Sequence, residues 1–199
     1  FGLNSNLLLL SSLFGLKPLF GQFIFGVNSL YMASLLIFII KRLPNWTPIQ
    51  IIVSLTVFVA MFVQYTLHIG SPSTDLLPNL MIVSLFLILL DSGGTISGRS
   101  LLFWIVPVFC LTLKLSIAPI CILCIFILWQ SVRDKHYRKI VFFITAALII
   151  LLPWLARNVI ISGYLIFPFP AIDWFSVDWK QPLEIATTEK NYIKAYAIS

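Results

Sequence analysis

The chain has 199 residues, 60% hydrophobic and 10% charged, with a mean hydropathy of +1.02. A soluble domain carries about 25% charged residues, so this composition excludes one and describes a polytopic membrane protein whose core is the bilayer. The net charge of +6 then belongs to the loops and does not imply nucleic acid as a partner.

In chain order, the sequence opens at Phe1 with neither Met nor signal peptide, and is read as a piece of a longer protein whose N-terminal part is missing. Leu7 to Leu16 is too short to cross a bilayer that needs about 20 apolar residues. Phe23 to Ile40 is a clean apolar span closed by Lys41-Arg42. Ile51 to Leu67 is the second, entered through Pro48 and left through Gly70-Ser71-Pro72. Leu76 to Leu90 is short and starts just after Asp75. Leu101 to Gln130 is a long apolar run with a single charge, Lys114, and Val141 to Leu155 is a later span closed by Arg157. The expected fold is all-α: a transmembrane helix bundle over residues 1–156, followed by a periplasmic loop and the start of a further segment over 157–199.

Lys114 decides the topology. A lysine inside a bilayer costs about 2.5–3.5 kcal/mol on insertion scales. As one helix, Leu101 to Gln130 would be about 45 Å long, against a hydrocarbon core of about 30 Å. Pro107 and Pro119 would kink it. With Lys41 and Arg42 inside, a single crossing would carry Arg133, Lys135, Arg138 and Lys139 outside, against the positive-inside rule. The expectation is therefore two short paired helices turning at Lys114, with the turn in a protein-lined place where irregular backbone is tolerated.

The chemistry-bearing residues are few. Cys121-x-x-Cys124 has no His or further ligand beside it and reads as small apolar filling, so no metal site is expected. Ser92-Gly93-Gly94-Thr95 lacks the Gly-Lys-Ser/Thr of a phosphate loop. Asp75 either caps the helix at Leu76 or contacts a sugar or cation. Lys114 and Arg157 are cations at the outer mouths of helices, where a retained charge suits an anion such as phosphate; snorkelling to headgroups is the plainer alternative. Lys17, at an outer interface, is a third such cation. Tyr164, Trp174 and Trp179 offer flat apolar faces that can cover a sugar ring, with Asp173 beside Trp174 in the first of two Asp-Trp pairs.

Leu-Thr-Leu-Lys-Leu-Ser-Ile-Ala-Pro (111–119) is similar to the leucine-threonine-lysine, small residue, proline turn of polyprenyl-phosphate-dependent membrane glycosyltransferases of the GT-C class. Pro153-Trp154-Leu155-Ala156-Arg157-Asn158, Ser162-Gly163-Tyr164 and Phe167-Pro168 resemble the Arg-Asn, Gly and Pro stretch those proteins carry at the outer end of a later span. Lys17-Pro18 is faintly like a Lys-Pro after their first outer loop. The whole 153–182 stretch looks most like an uncharacterised bacterial family of GT-C-like membrane proteins. The resemblance implies a GT-C-like bundle in a bacterial inner membrane. There it would pass a sugar from a polyprenyl-phosphate donor to an envelope acceptor on the periplasmic face, with membrane lipid as its partner and no cofactor. Lys114, Arg157, Lys17, Asp75, Tyr164, Asp173 and Trp174 are then substrate-binding candidates. The catalytic carboxylate of that class belongs in a first outer loop, and no acidic residue precedes Asp75, so it is expected upstream of Phe1. The alternative is a transporter or flippase of a lipid-linked saccharide, which would show paired half-helices in repeated positions.

Overall fold

The computed structural model describes residues 12–15, 20–68, 75–93 and 99–198. Among them the fold is all-α. The helices are α1 (Phe20–Arg42), α2 (Pro48–His68), α3 (Leu76–Asp91), α4 (Ser100–Leu113), α5 (Ile122–Arg133), α6 (Tyr137–Ser162) and α7 (Leu183–Ile198). Four described segments are long and apolar enough to cross a membrane: Gln22–Asn45, Pro48–Leu67, Leu115–Arg133 and Tyr137–Ser162. With 16 and 14 residues, α3 and α4 reach only about 24 and 21 Å at 1.5 Å per residue, short of the hydrocarbon thickness.

The chain divides into two compact units, residues 1–148 and 149–199, with the boundary inside α6. The expected division at residue 157 lies further along the same helix.

In the first unit α1, α2 and α3 pack around Met32, Leu35, Ile39, Trp46, Leu76, Leu80 and Leu87. Apolar packing alone distinguishes poorly between neighbours when lipid is equally apolar, so interhelical hydrogen bonds add register at about 0.6 kcal/mol each. Ser29 and Tyr65 join α1 to α2 through their hydroxyls at 2.8 Å. Asn79 Nδ2 donates to Gln64 Oε1 at 3.2 Å, joining α3 to α2.

The run from Leu101 to Gln130 does turn at Lys114. Helix α4 ends at Leu113, Lys114 is extended (φ −146°, ψ 115°), and Leu115–Cys121 is a 3₁₀ segment leading into α5. Seven residues is long for 3₁₀ geometry, whose bonds are poorer than α-helical ones. Pro119 within it has no N–H to sustain an α-helix. The returning α5 is antiparallel to α4: Cys121 Sγ lies 3.8 Å from the Pro107 carbonyl, and Cys124 Sγ lies 3.6 Å from that of Trp104. Pro107, buried inside α4, cannot bond the Phe103 carbonyl one turn back. The Cys124 thiol sits 4.0 Å from that oxygen as a weak donor. The cysteines thus fill space beside a proline-broken ladder, and no group of three or more His, Cys, Asp or Glu able to hold a metal occurs among the described residues.

The second unit holds the end of α6, an irregular stretch and α7. Helix α6 runs through Pro153 to Ser162, so Arg157 and Asn158 are helical rather than the start of a loop. Gly163 then turns the chain with φ +76°, a conformation that favours glycine.

Candidate functional site

Lys114 is held where two helices end. Its amide donates to the Cys110 carbonyl at 2.9 Å, the last bond of α4, and its own carbonyl accepts from Ile117 N–H at 3.1 Å. Its ammonium lies 2.8 Å from Asp75 Oδ1, with side-chain exposures of 42% and 53%. Asp75 stands at the N-cap position of α3 but makes no side-chain capping bond; its carboxylate turns to Lys114 instead. Two residues singled out separately in the sequence therefore form one ion pair, 39 positions apart, joining the start of α3 to the end of α4. Beside it, Ile24 of α1 and Leu77 of α3 pack with Phe109 and Leu113 of α4. The result is a cation and a carboxylate, both half-exposed, at the edge of an apolar cluster.

In the second unit, the Ser162-Gly163-Tyr164 stretch is a clasp. Gln181 N–H donates to the Ser162 carbonyl at 3.0 Å, and Tyr164 Oη donates to the Gln181 carbonyl at 3.1 Å. A Cβ on Gly163 would lie 2.9 Å from Lys180 Cα, closer than real Cβ contacts come, so the returning chain presses on bare backbone. Asn158 Nδ2 donates to the Leu165 carbonyl at 3.2 Å. The Lys180 ammonium pairs with Asp173 and sits 5.0 Å from the Tyr164 ring centre.

These contacts correct the reading of Tyr164. At 2% exposure, with Lys180 and Phe167 against its ring, it is a core residue and not an open face for a sugar. Asp173 is engaged by Lys180, with its side chain 48% exposed. Trp174 is 76% exposed and keeps an open ring. Arg157 is partly exposed, and its side chain makes no hydrogen bond or ion pair to another described residue. Lys17 lies outside the described residues.

The family model described as domain of unknown function (DUF8201) matches residues 1–199. The chain belongs to that family. No curated protein and no solved structure matches it. Membership in DUF8201 carries no activity with it, so function has to be argued from the geometry.

Two features of this DUF8201 chain escaped the sequence reading. Asp91, at the end of α3, accepts from Trp46 Nε1 at 3.0 Å and pairs with Arg42 at 3.2 Å and Arg99 at 3.5 Å, its own side chain 9% exposed. Gln50 Nε2 adds a bond to the Leu90 carbonyl at 2.9 Å. The end of α1, the turn after it and the residue before α4 are thus fastened at one carboxylate, and Gln50 ties the start of α2 to the same end of α3. The other feature is Asn28 of α1, 1% exposed, whose Oδ1 has no hydrogen-bond partner among the described residues. The flanking arginines were the available signal for Asp91; nothing in the sequence marks Asn28.

Proposed function

We propose that this chain belongs to a membrane glycosyltransferase that takes a sugar from a polyprenyl-phosphate donor, in a bacterial inner membrane and on its periplasmic face, for an envelope glycan or lipid acceptor. The observation that carries the reading is Lys114: a half-exposed ammonium fixed at a non-helical break between two short apolar helices. Charge at such a place is expensive and in membrane proteins marks function. The chemistry is consistent with it. When a sugar leaves a polyprenyl phosphate, negative charge grows on the phosphate. A cation already in place lowers the barrier without reorganising. The ammonium is a compact charge with three donors, suited to a phosphate whose orientation changes as the bond breaks. The adjoining apolar cluster of the same unit suits a lipid tail.

The test is Lys114→Ala in the whole protein, with release of polyprenyl phosphate from a polyprenyl-phosphate sugar as the readout. Removing a fixed electrostatic donor lowers rate about 10²–10³-fold, and Lys114→Arg should recover part of it. Unchanged release in Lys114→Ala would leave the residue as a snorkelling anchor and remove the basis of the proposal. A transporter or flippase of a lipid-linked saccharide is the second reading, favoured by the interrupted run itself, because such proteins place substrates at paired half-helices. Translocation of the intact donor without release of bare carrier would select it.

A further inference from the structure

We infer that the turn between α5 and α6 docks anionic lipid headgroups, held by Lys135, Arg138 and Lys139. The turn lies at the other end of α5 from Lys114 and does not depend on the glycosyltransferase reading. Asp134, Lys135 and His136 connect two segments, Leu115–Arg133 and Tyr137–Ser162, that are each long and apolar enough to cross a membrane. So short a connection between two such segments lies at a bilayer surface. The rings of Trp129 and Tyr137, 57% and 64% exposed, flank it, as Trp and Tyr do at membrane–water interfaces. From Arg133 to Lys139 there are four cations and one carboxylate, all exposed. Arg133 is partly engaged, with Asp134 Oδ1 at 3.6 Å and the Trp129 ring centre at 5.3 Å. Lys135, Arg138 and Lys139 make no ion pair with another described residue.

The backbone supplies an independent observation. Helix α5 ends in a double closure: His136 N–H donates to the Ser131 carbonyl at 2.9 Å, and Lys135 N–H to the Val132 carbonyl at 3.0 Å. This Schellman arrangement puts the residue after the C-cap in the left-handed region, where glycine is favoured. Here that residue is Lys135, at φ 56°. Among the described residues it is the only non-glycine with positive φ; Gly15, Gly93 and Gly163 take the other such positions. A lysine there is strained, because its Cβ crowds the following carbonyl oxygen. Glycine would relieve the strain and lose the charge. Strain of this kind persists where function keeps it. Arg138 and Lys139 are also poorly placed for folding alone. They sit in the first turn of α6, which has no acidic residue, and cations there oppose the helix dipole. A phosphate group at the turn offsets both penalties. Basic clusters beside membrane spans are drawn to anionic headgroups by about fivefold in affinity per cation.

The experiment uses the whole protein with Cys110, Cys121 and Cys124 replaced and a fluorophore on Val132→Cys, a position 53% exposed beside Arg133. In nanodiscs of phosphatidylcholine, quenching by nitroxide-labelled phosphatidylglycerol is compared with quenching by phosphatidylcholine carrying the same label. Half-quenching should need at least about fivefold less of the anionic lipid. The preference should shrink in about 1 M salt, where charges are screened beyond about 3 Å. Lys135→Arg should keep the preference, and Arg138→Gln with Lys139→Gln should remove most of it. Lys135→Gly separates charge from structure: the preference should fall while the melting temperature in detergent rises by about 2–4 °C. Equal quenching by the two lipids, or a preference unchanged in the double glutamine variant, overturns the inference. Quenching by neither lipid means that another part of the protein or a partner covers the turn, and overturns it too. A Lys135→Gly variant that melts below the wild type makes this lysine a structural residue and overturns its place in the site.

Discussion

The two ends of α3 each carry an aspartate, and the two are used differently. Asp91 is nearly buried, with three partners drawn from α1, the turn after it, and the residue that precedes α4. Asp75 is half-exposed and pairs with a half-exposed lysine at a backbone break. Charge is costly in either place, but only at Asp91 is the carboxylate closed off from solvent among the elements it joins. A carboxylate that touches several elements away from solvent holds a fold. One that leaves its partner open leaves chemistry possible. The lesson is that an ionised residue in an apolar bundle is to be judged by how completely its neighbours enclose it, since both aspartates look alike as boundary residues of an apolar run.

This contrast can be broken by substitution. Asp91→Ala should have the largest effect on folding, because it leaves the buried Trp46 indole N–H without its acceptor and two arginines without their counter-ion. The expected loss is about 2–3 kcal/mol, reduced from a fully buried pair because both arginines keep more than a third of their exposure. Thermal melting of purified protein in detergent reads it. A melting temperature equal to wild type would mean the Asp91 cluster fastens nothing. Asp75→Asn should have the smallest effect, about 0–1 kcal/mol, the range for exposed ion pairs. A large fall in that same melt would make the Asp75–Lys114 pair a second fastener and erase the distinction.

Much of the architecture was legible in the sequence because apolar runs of membrane length leave few alternatives. The spans starting near Phe23, Ile51 and Leu76 appear where the runs place them, and the turn at Lys114 follows from one charge, one proline and the balance of basic residues. Helix ends were less legible. Helix α6 continues past Arg157 to Ser162 because an internal proline such as Pro153 removes one bond without ending a helix that has a long apolar body. Contacts between distant residues were not legible at all. The Trp46–Asp91 bond spans 45 positions, and no local pattern announces it. Tyr164 looked like an exposed aromatic after a glycine. The return of Lys180 and Gln181 onto that glycine, 17 positions from Tyr164 to its acceptor, encloses it. The candidate site was half legible: Lys114 and Asp75 each stood out, but only the fold makes them one pair.

The proposed function requires the Lys114 turn to open to one side of the membrane while the Asp91 end faces the other. Single cysteines test this directly in a background where Cys110, Cys121 and Cys124 are replaced. Ser116, exposed on the 3₁₀ segment beside Lys114, and Asn45, exposed beside Trp46, are suitable positions. A membrane-impermeant maleimide applied to spheroplasts should modify Ser116→Cys and leave Asn45→Cys untouched until the membrane is permeabilised, and excess polyprenyl-phosphate sugar should slow the first reaction. Modification of both from the same side, or of neither before permeabilisation, would contradict the account.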